Sequence, residues 1–247
     1  MEENQLVKVK KSCIRVGIVF LSKVKRSLCD ERYRAIILMK IFNSKRLQQT
    51  TSLTYMDRYP TIFAGCRDYF KGQDNIKILS YGCSTGEEVL TLRRYFPNAT
   101  IVGAEINPHS LRICKSLPLN EKTKFINSTP REIIKQGPYD IVFCMAVLQR
   151  TPHVVTEQKI KSLKKIYPFE KFEKQVIELD QSVAPQGLMV IHFSQYSFED
   201  TKISSRYQAL GEYNQDDYHA AIFDKNSNII IKPIPRKSIF VKRVRSI

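Results

Sequence analysis

Apolar and polar positions divide this chain into short elements. Ile76-Lys77-Ile78-Leu79-Ser80-Tyr81 is a short, largely apolar run that ends in glycine, the pattern of a buried parallel strand. The glycines in Gly82-Cys83-Ser84-Thr85-Gly86-Glu87-Glu88 let the backbone turn sharply and approach a ligand closely. Val89, Leu90, Leu92 and Phe96 then repeat at helical spacing until Pro97-Asn98. Ile101 to Ala104 makes a second strand, with Glu105 at its C-terminal end. The same reading predicts helices over about 30–45, up to Phe70, over 108–116 and 168–182, and over 201–213. It predicts strands at 124–126, 140–144 and 188–193, a turn at 184–187, a hairpin pairing 220–223 with 229–231, and a last strand at 238–241.

The glycine loop narrows the chemistry. Glu87 and Glu88 fall in the first turn of a helix, where negative charge suits the dipole. Glu105 stands where open α/β sheets bind ligands, and an acid there can take both hydroxyls of a ribose. A dinucleotide fingerprint places glycines first, third and sixth and leaves the helix N-terminus free for a pyrophosphate. Counting from Gly82, the third and sixth places hold Ser84 and Glu87. The two adjacent carboxylates would repel a pyrophosphate, which disfavours a dinucleotide-dependent oxidoreductase. They suit a cofactor bearing an ammonium and a sulfonium, as S-adenosylmethionine does.

The seven residues from Gly82 to Glu88 resemble the signature of the chemotaxis-receptor methyltransferases, which are Rossmann-like (class I) S-adenosylmethionine enzymes. Tyr139 to Leu148 resembles the fourth-strand motif of that superfamily, and Gly187 to His192 its fifth strand. The likeness covers about residues 74–195. It departs from the chemotaxis enzymes after Glu88, and neither their N-terminal helical domain nor their inserted subdomain is recognisable. The resemblance implies a doubly wound α/β fold: a mostly parallel seven-stranded sheet with an antiparallel C-terminal hairpin and an N-terminal helical extension. Residues 1–72 are then a basic, mainly helical extension and lid, and 73–247 the methyltransferase domain.

It also implies residue roles. Gly82, Cys83, Ser84, Thr85 and Gly86 shape the cofactor loop. Glu87 or Glu88 faces the methionine ammonium, because Ser80 stands where many relatives carry an acid. Glu105 holds the ribose, Ile106 borders the adenosine, and Met145 and Ala146 border the methionine end. Asn127 and Ser128 meet the adenine, although Ser128 or Thr129 before Pro130 equally fits a helix cap. On the acceptor side, His153 is a candidate base and Arg150 a candidate anion clamp. Methyl transfer often needs no base, so positioning alone is the alternative. Arg58 is placed to hold a carboxylate of cofactor or substrate, and Tyr196 to line a substrate pocket. The methyl acceptor stays open among a small molecule, a protein carboxylate and RNA.

Charge adds a second theme. The 247 residues carry a net charge of +16, which favours an anionic partner. Half of that excess falls in residues 1–50, where a helix mixing Tyr33, Ile36, Ile37, Met39 and Phe42 with basic residues fits first a cap packed over the cofactor cleft or onto the sheet with solvated lysines outside, and second a segment that binds nucleic acid or an anionic lipid surface. A non-catalytic nucleic-acid-binding module that retains the methyltransferase fold is the competing reading. The six cysteines show no metal-ligand spacing, which predicts no metal site and reduced thiols in a cytoplasmic protein. Val16 to Leu21 is far shorter than the ~20 residues of a membrane span, and no signal-peptide cleavage site follows it.

Overall fold

A computed structural model describes residues 25–26, 28–44, 46–50, 52–118, 120–232 and 234–244. The apolar run at Val16–Leu21 lies outside the described residues. Contacts divide the chain into two units, Met1–Leu47 and Gln48–Ile247.

The first unit contains helix α1, Glu31–Phe42. Asp30 caps it, its side chain accepting from the Tyr33 N–H at 2.9 Å, which satisfies one of the orphan donors of a helix start.

The second unit is an α/β domain. Helix α2 (Pro60–Tyr69) leads into strand β1 (Lys77–Tyr81), followed by α3 (Glu87–Tyr95), β2 (Thr100–Glu105), α4 (Pro108–Lys115) and β3 (Thr123–Asn127). Next come α5 (Pro130–Gln136), β4 (Tyr139–Met145), α6 (Pro152–Glu157), α7 (Phe169–Asp180), β5 (Val183–His192), β6 (Tyr207–Ala209) and β7 (Ile239–Lys242). The sheet has seven strands in the order β3-β2-β1-β4-β5-β7-β6. The first five run parallel, β7 is antiparallel to β5, and β6 is antiparallel to β7. This is the mostly parallel Rossmann-like sheet with an antiparallel C-terminal pair that the sequence implied.

Alternating residues of each central strand feed two cores. Ile78, Ile101, Ile141, Phe143 and Val190 meet Phe63 of α2 and Val89 and Leu92 of α3 on one face. Leu79, Val102, Val142, Met189 and Ile191 meet Ile133 of α5 and Phe172, Val176 and Leu179 of α7 on the other. A strand covered on both faces reads as a continuous apolar run, as β1 and β4 do. Asp140 ties the start of β4 to β1, its Oδ2 accepting from the Lys77 N–H at 2.7 Å.

Three local expectations are corrected. Residues 201–213 are not a helix: a short 3-10 turn at Ser204–Arg206 leads into β6. Residues 220–223 and 229–231 supply no sheet strands; Phe223 and Ile229 form one isolated bridge. The Asp224 side chain closes that loop by accepting from the N–H groups of Asn226 and Asn228. The turn at 184–187 lies within β5 as an irregularity, because the register jumps from Tyr139 opposite Val183 to Ile141 opposite Leu188.

Candidate active site

The strand order reverses direction at β1, between β2 and β4, and a cavity of about 100 Å³ opens at the C-terminal ends of β1 and β4. Open α/β sheets bind ligands at such switch points. Gly82, Cys83 and Ser84 line the cavity on the β1 side, and Met145, Ala146 and Val147 on the β4 side. Gly82 takes a φ of 77°, and a Cβ there would sit 2.5 Å from Val147 Cγ2. The turn and the close approach both demand glycine. Ser84 and Ala146 also hold left-handed backbone, at φ 52° and 55°. Strained backbone of this kind concentrates at functional sites.

The two glutamates of the loop part company. Glu87 accepts twice from Thr85 Oγ1, at 2.9 and 2.7 Å. Glu88 lines the cavity and accepts from Ser80 Oγ at 2.7 Å. Burial pushes the Glu88 carboxyl up to about 7, against the opposing pull of Ser80 and of the Arg58 guanidinium. Two further polar groups beside the cavity have no partner: the buried Ser84 Oγ and the buried Tyr59 hydroxyl. Burial also raises the Tyr59 phenol above its ordinary value.

Glu105 is buried at the end of β2. Its Oε2 accepts from the Ser84 N–H at 2.8 Å and its Oε1 from the Asn107 N–H at 2.7 Å. Burial raises its pKa, while those backbone donors pull it down. Each oxygen keeps a further lone pair for a hydroxyl. Ile106 follows directly and is half-buried. Asn127 pairs with Glu105 across β2 and β3 and is exposed. Ser128 is buried and donates its N–H to the Glu105 carbonyl at 3.1 Å. The helix cap of α5 is Thr129, which accepts from the Glu132 N–H at 3.1 Å.

Gln49 and a strap over Ser52–Tyr59 form the remaining wall. Gln49 Nε2 donates to the Ala146 carbonyl in the loop after β4. Asp57 joins the strap to α3, its N–H donating to Thr91 Oγ1 at 2.9 Å and its carboxylate accepting from the Tyr95 hydroxyl at 3.0 Å. Arg58 lines the cavity, braced by the Leu53 carbonyl at 2.9 Å and lying over the rings of Tyr55 and Tyr59. His153, exposed near the start of α6, lines the opposite rim with Gln149.

The structure thus brings Gly82, Cys83, Ser84, Met145, Ala146, Arg58 and His153 to one cavity, with Glu105 tied to its loop through Ser84. Gly86 stands behind it as the left-handed residue that starts α3. Arg150 and Tyr196 do not reach the cavity. Arg150 donates from Nη1 to the Gln48 carbonyl at 3.1 Å and from its N–H to Gln195 Oε1 at 2.7 Å. Tyr196 is fully buried against Tyr167, Phe169 and Phe172. Sequence reading gave no role to Gln49 or Gln149, and no motif pointed to either. Among the described residues, no group of three or more His, Cys, Asp or Glu could hold a metal ion.

Residues 78–168 match the family model of a methyltransferase domain. No curated protein matches the chain significantly. Solved structures similar to this chain include the plantazolicin methyltransferase BpumL in complex with a pentazolic desmethylPZN analog and SAH, at 14% identity and a TM-score of 0.42, covering 68% of this chain and 55% of that one. SAM-bound CalS10, an amino pentose methyltransferase from Micromonospora echinaspora, is 19% identical with a TM-score of 0.39, covering 56% of this chain and 50% of that one. WbdD is 15% identical with a TM-score of 0.44, covering 79% and 44%. The chain therefore spans about half the length of these structures.

Proposed function

We propose that this chain is an S-adenosylmethionine-dependent methyltransferase acting on an acceptor not yet identified. The observation that carries the proposal is the pair of carboxylates at one switch point, Glu88 half-buried and Glu105 buried. Glu88 stands inside the cavity, and Glu105 is held against the cavity loop by the Ser84 N–H. A ligand bearing a cation at one end and a vicinal diol at the other satisfies both. The match of residues 78–168 to a methyltransferase domain agrees with this reading and leaves the non-catalytic nucleic-acid alternative without support.

The residues fit the cofactor part by part. Glu88 faces the methionine ammonium, and Arg58, with the unpartnered hydroxyls of Tyr59 and Ser84, faces the methionine carboxylate. Glu105 accepts from the ribose hydroxyls, and Ile106, Asn127 and Ser128 flank the adenosine. A cavity of about 100 Å³ holds only part of such a molecule, since sites for ligands of this size run to ~300 Å³ or more. The adenosine end lies along the strand ends outside it.

When bound, the sulfonium supplies an activated methyl group and a neutral leaving thioether. The protein aligns the acceptor with the methyl carbon and excludes water, and positioning of this kind supplies much of the rate. Gln49, bonded to the Ala146 carbonyl, borders the reacting end. His153 at the rim is the candidate group to take a proton from an acceptor that carries one. The loop likeness to the chemotaxis-receptor enzymes supports a carboxylate acceptor through those seven residues alone, so small molecules and RNA stand beside it.

Calorimetric titration with S-adenosylmethionine and S-adenosylhomocysteine, beside the Glu105→Ala variant, tests the reading. Micromolar binding that the variant loses is the expected result. No binding by the folded wild-type chain overturns it.

A further inference from the structure

The loop after β4 is held by side chains as much as by the sheet. Ala146 follows the last strand residue with a φ of 55°, left-handed backbone that an alanine keeps only where its surroundings hold it. Its N–H donates to the His192 carbonyl at 2.8 Å, one residue beyond the Met145–His192 pair of the β4–β5 ladder. Its carbonyl accepts from two side-chain amides, Gln49 Nε2 and Gln149 Nε2, the second at 2.9 Å.

Gln149 is buried, and both ends of its amide are engaged. A carbonyl only accepts, so the amide nitrogen must face Ala146 and the amide oxygen must face the other way. That oxygen accepts from the Tyr218 hydroxyl at 2.9 Å. Tyr218 comes from the excursion between β6 and β7. Its ring lies against Phe193, with centroids 5.3 Å apart, and under the Arg236 guanidinium, 5.5 Å from the ring centroid. Arg236 is itself fixed, since its Nη1 donates to the Ser194 carbonyl at 2.7 Å just after β5. A relay therefore runs from the excursion through Tyr218 and Gln149 to the Ala146 carbonyl.

The relay ends in the cavity wall, because Met145, Ala146 and Val147 line the side at which the cofactor's methionine end is placed above. A buried polar network whose members are all satisfied holds one arrangement. Without the Tyr218 hydroxyl the Gln149 oxygen is left unpaired, and the amide no longer has one preferred orientation toward Ala146.

We propose that Gln149 and Tyr218 are positioning residues for the methionine end of the cofactor, acting through the Ala146 carbonyl. The inference rests on the S-adenosylmethionine reading above. It assigns to the β6–β7 excursion a part in cofactor affinity.

The test is calorimetric titration of wild type, Tyr218→Phe, Gln149→Leu and the double variant with two ligands. S-adenosylhomocysteine carries the amino-acid end, and 5′-methylthioadenosine keeps the adenosine and lacks that end. Affinity for S-adenosylhomocysteine should fall about two- to ten-fold in each single variant, the worth of one neutral hydrogen bond. Affinity for 5′-methylthioadenosine should stay at the wild-type value, because Glu105 and the adenosine side are untouched. Both changes act through one amide, so the double variant should lose no more than Gln149→Leu alone. Tyr218→Phe keeps the packing on Phe193 and Arg236, so the fold should persist in it even if Gln149→Leu is damaged. Equal S-adenosylhomocysteine affinity in wild type and Tyr218→Phe overturns the proposal. A parallel loss of both ligands overturns it too, because it marks a contact that serves only the fold. If wild type binds neither ligand, the cofactor reading itself fails and this inference falls with it.

Discussion

Ser80 Oγ donates to Glu88 Oε1 at 2.7 Å, joining β1 to the first turn of α3. A carboxylate borne by the helix thus reaches the strand end at which many superfamily members carry the acid itself. If Glu88 faces the cofactor ammonium, Glu88→Gln removes a charge-assisted contact worth roughly 1.5–3 kcal/mol, or about ten- to a hundred-fold in affinity. The neutral amide keeps the shape, so the fold should persist. Only the ionised carboxylate attracts the ammonium, and burial holds the carboxyl near 7. Wild-type affinity for S-adenosylmethionine should therefore rise from pH 6 through about 7, and fall above about 8 as the ligand's own α-ammonium loses its proton. The Gln variant should lack the rise. Calorimetry across that range reads both, and an unchanged affinity in the variant rules out the ammonium role.

Glu105→Ala should damage binding and stability together. The side chain accepts from two backbone donors, the N–H groups of Ser84 and Asn107. Leaving a buried donor unpaired costs ~1–3 kcal/mol. Thermal melts should show that loss in the absence of ligand, and titration should show both S-adenosylmethionine and S-adenosylhomocysteine failing to bind. A variant that melts lower yet binds normally would make Glu105 a loop brace and nothing more.

Gly82→Ala meets two separable obstacles, the positive φ and Val147 Cγ2 at 2.5 Å from the added Cβ. Left-handed backbone costs an alanine ~1–2 kcal/mol, and the overlap adds to that. Val147→Ala in the same chain should recover the steric part and leave the conformational part. Denaturant melts of the single and double variants form the cycle. If the second change recovers nothing, the overlap is absorbed elsewhere.

Most of the sheet was legible because its parallel strands are buried on both faces and announce themselves as apolar runs. Both the loop at 82–88 and Glu105 were legible as well, since backbone turning and strand-end acids leave marks in the residue types. The choice between Glu87 and Glu88 was not. Consecutive helix residues point about 100° apart, and only the position of Ser80 on the neighbouring strand selects one of them. Strand β6 was missed because three residues carry no periodicity, and their pairing partner β7 lies about thirty residues on. Residues 220–231 misled only as to the sheet: the runs pair across the turn, with Phe223 opposite Ile229 and the Ile230 N–H on the Ile222 carbonyl at 2.9 Å, but neither joins the seven-stranded sheet. Tyr196 read as a cleft residue from its place after β5, whereas its ring is packed into the core under α7.

Two buried groups should bend the pH dependence of stability in opposite directions. Glu88, raised from 4.5 to about 7, binds a proton in the folded state that the unfolded chain has lost, so stability falls as pH rises across that window. His192 at the end of β5 is pushed down from 6.5 to about 3, by burial first and then by Arg236 and Arg58. Its ring stacks on Phe193, and Nδ1 lies 2.8 Å from Ser238 Oγ. The unfolded chain binds that proton and the folded one does not, so stability rises with pH between about 3 and 6.5. The windows overlap from 4.5 to 6.5, and there the two slopes, each up to about 1.4 kcal/mol per pH unit, oppose one another. Glu88→Gln should therefore make the ligand-free protein gain stability with rising pH more steeply than wild type in this range. His192→Gln should tilt the profile the other way. Denaturant midpoints at half-unit pH steps measure the differences. Parallel profiles for all three proteins would mean that neither group keeps its folded-state shift.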